Sequence, residues 1–560
     1  MVASRTRYDL RSGLKYRAPL PDSAMSRHAP SGGRRAHRKP LQVEESVTTT
    51  SRPTGKSLPT EGQPDDPAQA EAASGLPPLA WKPVTAVAAV LGLLLLATSG
   101  RWGYQGDELY FLGASEHLSW GYADNPPLLP LLAGAMDSLF GGSLVGLRLP
   151  STILAATGTL FAALIARELG GETKAQLRTA VAWAAVPLVM IVGHALSAST
   201  VDLFAWTAVT WLLVAWVRRQ DDRLLLWIAL VSVVSMQAKY SIVFLWVAVG
   251  ISALAVGPRR LLRRPMLWVG AAVVFATVIP GLLWQADHGW PQLHMADVFR
   301  RESAGPVAYV GVALFLAGLL LVVLSAHGLW QLLRSPDLRP YRFLGWSFVG
   351  LFVFFLVTGG RPTYVAGLFP LLWAAGAVRM QRGTPAKWWR WAVSWPVFGL
   401  VAALSIVTSL PVLPRSDDDP PVAGTDNNPQ AAETVGWDDL VTAVEKATQS
   451  VPAGEREHAA IVTEYYTEAG ALEHLGRGED LPKVYSAHRG YWYFGGPSDD
   501  ATTTIFVGSD REELLKRFSD VREAATTAGK GNAVAGTKVW ICKGNRQPWS
   551  QMWPDMGHLY

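Results

Sequence analysis

Two carboxylates stand side by side in Gly106-Asp107-Glu108-Leu109-Tyr110, and a third follows in Trp120-Gly121-Tyr122-Ala123-Asp124-Asn125-Pro126-Pro127. A carboxylate can accept the proton of an attacking hydroxyl. Its reference pKa of about 4 makes it a weak base, so the proton would move late, as the bond to the leaving group breaks. A structural alternative exists for Asp107, which could cap a short helix over 107–119 by meeting free N–H groups. Further polar groups recur at the ends of apolar runs. They are His194, Ser199 and Asp202, then Lys239-Tyr240, the stretch Trp284-Gln285-Ala286-Asp287-His288-Gly289-Trp290-Pro291, and Gly359-Gly360-Arg361-Pro362-Thr363-Tyr364. Each has a plain reading: a snorkelling lysine, a tryptophan belt, a Gly-Gly-Arg-Pro turn. Together they pair carboxylates with cations, and an arginine can grip two phosphate oxygens at once. The chemistry that uses both is group transfer from a phosphate-linked lipid. The lipid phosphate leaves, stabilised by cations, and a carboxylate serves the acceptor hydroxyl.

The elements that must hold these residues are membrane helices. Apolar residues make up 49% of the 560-residue chain, concentrated between about 82 and 410 in runs near the ~20 residues that span a bilayer. Eleven spans are expected, near 82–100, 144–168, 177–195, 199–217, 223–238, 240–257, 266–285, 307–333, 342–358, 363–380 and 388–410. The apolar segment 126–140 opens on Pro126-Pro127 and is too short to span, so it reads as interfacial or re-entrant. With the N-terminus cytoplasmic, the inside loops hold clusters such as Arg218, Arg219 and Arg223, or Arg259, Arg260, Arg263 and Arg264. The outside loops are poorer in cations, as the positive-inside rule requires. This orientation puts every candidate motif on the outer face, and an odd span count leaves the C-terminal part outside. The expected location is the plasma membrane, crossed many times.

The remaining segments are polar. Residues 1–80 are rich in Pro, Ser, Arg and Gly and read as a disordered cytoplasmic tail whose Arg34, Arg35, Arg38 and Lys39 reinforce topology or meet anionic lipid. Residues 81–410 read as the membrane domain, 411–425 as a linker, and 426–560 as an α/β domain. In the last, Ala459 to Tyr466, Thr502 to Val507 and Thr537 to Cys542 read as strands, the third being the last strand; Thr467 to Leu475 and Asp510 to Val521 read as helices. The net charge of +5 lies mostly in the tail and short loops, which argues for membrane lipid as a partner and against nucleic acid. The single cysteine, Cys542, excludes an intramolecular disulfide and a cysteine metal cage. The first apolar run begins too late for a cleavable signal peptide and reads as a signal anchor.

At these residues the chain resembles a GT-C type glycosyltransferase of the family 39 kind, the protein-mannosyltransferase-like and aminoarabinose-transferase-like group, over roughly 82–560. Asp107-Glu108 is similar to the family's acidic pair in the first outer loop. Tyr122 to Leu128 is similar to its aromatic-x-acid-x-Pro-Pro-Leu element. Trp284 to Pro291 resembles its Trp-Asn/Gln…His-Gly-Trp-Pro loop, and Arg361-Pro362-Thr363-Tyr364 with Pro370 its Lys/Arg-Pro-Tyr-Tyr…Pro segment. The resemblance implies inverting transfer of a sugar from a polyprenyl-phosphate donor to a protein, glycan or lipid acceptor. It implies a catalytic pair in Asp107, the base, and Glu108. It places Tyr122 and Asp124 at the sugar or acceptor, and Lys239, Arg361 and Tyr364 at the lipid phosphate, with His288 assisting. Ser486 to Trp492 resembles a Gly-His-Asn-x-Tyr-Trp stretch, which would add His488 to the binding residues; Ala487 and Arg489 depart from that pattern. Thr363 stands where members often have Tyr, and Asn125 where Lys or His is common. No cofactor is firmly predicted, although the acidic pair leaves a divalent cation open.

Two other functions fit a polytopic chain. A transporter or flippase of lipid-linked precursors would carry polar groups at mid-span, often in repeated halves; here they lie at span ends and no internal repeat is visible. A non-catalytic scaffold would bind a partner through the outer domain, without needing the acidic pair.

Overall fold

The computed structural model describes residues 75–383, 386–387, 389–413, 433–528 and 532–559. The basic cluster Arg34 to Lys39 and most of the expected linker lie outside them. The membrane part is helical: α1 (Trp81–Ser99), α2 (Gly106–Ser115), α3 (Leu128–Phe140), α4 (Leu144–Glu168), α5 (Thr173–Ala185), α6 (Pro187–Gly193), α7 (Ala198–Arg219), α8 (Arg223–Ala238), α9 (Ile242–Val256), α10 (Pro265–Asp287), α11 (Pro291–Glu302), α12 (Gly305–Leu316), α13 (Val322–Arg334), α14 (Arg342–Thr358), α15 (Phe369–Arg382) and α16 (Trp395–Ser409).

Eleven continuous spans are not what the described residues contain. Six helices are long and apolar enough to cross a membrane, or eight if each of two bent pairs counts as one span. The pair α5–α6 bends by 60° because Pro187 forces Val186 into an extended conformation, at ψ 146°. The expected span 307–333 is broken by 95° after Ala317, where Gly318 takes φ +76° and starts the chain in a new direction. At 223–238, 240–257 and 388–410 stand α8, α9 and α16, with 16, 15 and 15 residues. At ~1.5 Å per residue each falls short of the ~30 Å hydrocarbon layer. The segment 126–140 forms α3, 13 residues long and ended by Gly141 in the left-handed region.

The C-terminal part is a five-stranded sheet with helices on both faces. Its strands are β1 (Ala459–Thr463), β2 (Val484–Ser486), β3 (Thr503–Val507), β4 (Phe518–Thr526) and β5 (Lys538–Asn545), in the order β2-β1-β3-β5-β4. β1 pairs in parallel with β2 and β3, while β5 runs antiparallel to β3 and β4. Successive side chains point to opposite faces. Ile461, Ile505, Val539 and Ile541 therefore pack with α17 (Trp437–Gln449), and Val462, Phe506, Trp540 and Cys542 with Trp549 and Trp553 at the chain's end. The short α18 (Ala453–Arg456) precedes β1, and α19 (Tyr466–Leu475) follows it.

One expectation here is corrected. Asp510 to Val521 is not one helix: only α20 (Arg511–Leu514) is helical, and Phe518 opens β4. Leu514, Phe518 and Val521 have helical spacing, yet Phe518 and Val521 pair with Asn545 and Cys542 of β5 and bury in the cluster around Trp549. The tertiary pairing decides between the two readings. The last strand reaches Asn545 and is followed by α21 (Trp549–Met556).

The sheet layer sits directly on α2. An added Cβ at Gly470 of α19 would lie 2.5 Å from the Leu109 carbonyl oxygen, and one at Gly490 would lie 2.0 Å from the Tyr110 hydroxyl. Glycine lets backbone meet backbone at the first position and the Tyr110 side chain at the second, and residues 108–114 are buried.

Candidate active site

The two adjacent acids have opposite fates. Gln105 is the N-cap of α2, its side-chain oxygen accepting from the Asp107 N–H at 3.1 Å, and Glu108 reaches back to accept from the Gln105 N–H at 2.9 Å. This reciprocal capping box satisfies the helix start, so the expected capping by Asp107 does not occur. Glu108 is fully buried and forms a two-pronged pair with Arg148, with Nε to Oε1 at 2.9 Å and Nη2 to Oε2 at 2.8 Å. It also accepts from the Leu196 N–H at 2.8 Å. Arg148 also donates to the Ser99 and Gly103 carbonyls, at 2.7 and 2.9 Å. Both Glu108 oxygens and four of the five Arg148 N–H groups are matched, which is what allows an ion pair to persist without water.

Asp107, one residue earlier, faces the opposite way and remains partly exposed. Its Oδ1 accepts from the Tyr466 hydroxyl at 2.9 Å. Asp124 accepts from the Tyr110 hydroxyl at 2.6 Å. Burial, followed by the adjoining aspartates, holds both phenols well above their ordinary pKa, so each remains a donor to its acid. Burial also raises the Asp124 carboxyl above the usual range, opposed by the Tyr110 hydrogen bond and the nearby Arg489 charge.

The loop that carries Asp124 is pinned from both sides. The Tyr122 N–H donates to the Asn125 carbonyl at 3.0 Å, and Gln285 donates to the Tyr122 carbonyl at 2.8 Å. The Tyr122 ring is buried, with its hydroxyl within 3.2 Å of the Ala114 and His117 carbonyls. Its expected place at the substrate is thus taken by a loop-building role.

The cations approach from other elements. Arg489 takes φ +49° at the start of a 3-10 turn, Arg489–Phe494. Its Nη1 lies 3.3 Å from the Tyr466 hydroxyl, and its Nη2 donates to Glu302 Oε1 at 2.8 Å. Arg361 donates to Glu302 Oε2 at 2.6 Å and lies over the Phe299 ring at 5.2 Å. Phe299 meets Tyr364 edge-on at 6.4 Å, and the Lys239 ammonium sits 4.4 Å from the Tyr364 ring centre. A continuous line of contacts therefore runs from Asp107 through Tyr466, Arg489, Glu302, Arg361, Phe299 and Tyr364 to Lys239. One end is acidic and the other cationic.

Of the two histidine candidates, His288 stands apart from this line, and His488 meets the Tyr466 ring at 5.1 Å. His288 stacks on Trp284 at 4.0 Å and faces Tyr493 at 5.6 Å. His488 is buried, stacked on His558 at 4.9 Å, and burial pushes its pKa down to about 3. It is packed inside the sheet domain, and its neighbour Arg489 reaches the hydroxyl of the same Tyr466. The signal for Arg489 was its departure from the family pattern. Tyr466 and Glu302 gave none, since their partners lie far away along the chain. Among the described residues no group of three or more His, Cys, Asp or Glu side chains is arranged to hold a metal ion.

Residues 124–284 match the family model described as dolichyl-phosphate-mannose-protein mannosyltransferase. Two crystal structures of ArnT from Cupriavidus metallidurans share the fold. The one bound to undecaprenyl phosphate has a TM-score of 0.57 at 14% identity, covering 82% of this chain and 97% of that one. The apo form has a TM-score of 0.55 at 15% identity with the same coverage. The cryo-EM structure of the arabinofuranosyltransferase AftD from Mycobacteria gives a TM-score of 0.47 at 14% identity, covering 85% of this chain and 40% of that one. No curated protein matches this chain.

Proposed function

We propose that this chain, a multi-pass membrane protein with the GT-C fold and a protein-mannosyltransferase-like core, is a glycosyltransferase that moves a sugar from a polyprenyl-phosphate donor to an acceptor hydroxyl outside the cytoplasm, with inversion. The observation that carries the reading is the line of contacts with carboxylates at one end and cations at the other. Lys239, Arg361 and Arg489 take the lipid phosphate, and Glu302, which bridges the two arginines, is the anion that the phosphate displaces. The acceptor oxygen attacks the anomeric carbon from the face opposite the phosphate and forms the new glycosidic bond. The bond from that carbon to the phosphate oxygen breaks, and polyprenyl phosphate leaves with the electron pair. The hydroxyl proton passes to Asp107, which Tyr466 holds in place. Asp124, held by Tyr110, lines the sugar side. Glu108 acts through Arg148 as a positioning residue for the helix that presents Asp107.

The test is Asp107→Asn in membranes, assayed for sugar transfer alongside thermal stability. Loss of transfer with unchanged melting and membrane insertion is expected. Near-normal transfer by the variant would sink the assignment. The same reading places the N-terminus in the cytoplasm and the sheet domain outside the plasma membrane.

A further inference from the structure

Beside the acidic end of the line lies a cavity of about 340 Å³ to which, of the residues named in the proposed transfer, Arg489 alone contributes. One wall is α11, whose His294, Asp297 and Arg301 recur at helical spacing on one face. The opposite wall is the Arg489–Phe494 turn, which supplies Arg489, Trp492 and Tyr493. The Trp492 and Tyr493 rings meet at 86° with centroids 4.8 Å apart, forming a corner of two aromatic faces. The Trp492 N–H is already spent on the Trp553 carbonyl at 3.0 Å, so its ring contributes an apolar surface. Arg489 forms the partition. One side of its guanidinium lines the cavity, and its Nη1 lies 3.3 Å from the Tyr466 hydroxyl that holds Asp107.

The lining selects a class of ligand. Aromatic faces beside a carboxylate, two guanidiniums and two imidazoles suit a ring with an apolar C–H face and a rim of hydroxyls. A phosphate would meet Arg301 and Arg489 but would leave the Trp492 and Tyr493 faces without a partner and would meet Asp297 as a like charge. An extended peptide gains affinity by pairing with a free strand edge, and no strand residue lines this wall. The volume lies at the lower end of the ~300–1,000 Å³ of ligand pockets, which suits the end of a glycan. We infer that this cavity binds the acceptor and that the acceptor is a carbohydrate. The inference rests on the transfer reading above and adds the acceptor class to it.

The experiment is saturation-transfer NMR on the detergent-solubilised full chain, with a polyprenyl phosphate added to fill the donor place. The probes are methyl α-D-mannopyranoside, methyl α-L-arabinofuranoside, methyl β-D-galactopyranoside and a short threonine-containing peptide. At least one glycoside should receive saturation from the parent protein and from Asp107→Asn. That signal should fall five-fold or more in Tyr493→Ala and in Asp297→Asn, two variants on different walls, so either can report if the other misfolds. The inference is overturned if no glycoside is saturated, if the signal survives in the folded cavity variants, or if the peptide is saturated in their place. If Asp107→Asn still transfers sugar while the cavity binds normally, the transfer reading fails alone.

Discussion

At the scale of residues, the adjacent acids Asp107 and Glu108 are alike in chemistry and separated by one step of a helix. At ~100° per residue, that step turns one carboxylate toward Tyr466 and the other into the protein, against Arg148. The two should therefore fail differently on mutation. Glu108→Ala leaves Arg148 buried and unpaired, at a cost of about 3–5 kcal/mol. We expect a sharply lowered melting temperature and poor recovery from membranes, read by thermal-shift measurement, whereas Asp107→Asn melts like the parent. A Glu108 variant that melts normally but is inactive would instead return Glu108 to the chemistry. At the cationic end, Arg361→Ala removes one donor to the leaving phosphate and should lower the transfer rate by roughly 10²–10³; an unchanged rate with a short-chain donor counts against that role. The acidic pair, Asp124 and the cations were legible from residue type and order. Which member of the pair was structural was not, because Arg148 lies 40 positions from Glu108.

At the scale of elements, α2 is held between the membrane part and α19. Glu473 of α19 accepts from the Tyr491 hydroxyl at 2.8 Å, which ties α19 to the Arg489–Phe494 turn. Burial raises its carboxyl from 4.5 to about 7, against the lowering effect of that hydrogen bond. The folded state thus holds this proton more tightly than the unfolded chain does. The associated stability is fully present below about pH 4.5 and is lost as pH rises through about 7. Glu473→Gln should flatten that part of the melting-temperature profile; an unchanged slope between parent and variant would place the titration elsewhere. The parallel pair β1–β3 was readable from apolar runs bounded by turn residues. The β4–β5 hairpin was not, because Leu514, Phe518 and Val521 carry a helical spacing that only the pairing with β5 overrides. The kink at Pro187 and the break at Gly318 had local signals, but their angles come from packing.

At the scale of the whole molecule, the proposed function depends on one arrangement: the sheet domain lies on the same side as the first outer loop. Tyr466 and Arg489 reach Asp107 and Glu302 from that domain. Its position outside the cell is open to test. In a Cys542→Ser background, Asp500→Cys places a thiol at an exposed turn, and a membrane-impermeant maleimide should label it in intact cells. Labelling only after lysis would reverse the topology. The sequence by itself determined the membrane class, the helical character of residues 82–410, the polar groups at the ends of the apolar runs and the α/β character of the C-terminal part. These follow from apolar run length, loop charge and strand alternation, all of which are local along the chain. The tertiary structure alone decided that Glu108 pairs with Arg148 while Asp107 faces a phenol, and that Arg489 meets Tyr466 and Glu302. Those outcomes depend on pairs of side chains tens to hundreds of residues apart, whose meeting is set by close packing and hydrogen-bond satisfaction, and no local pattern encodes them.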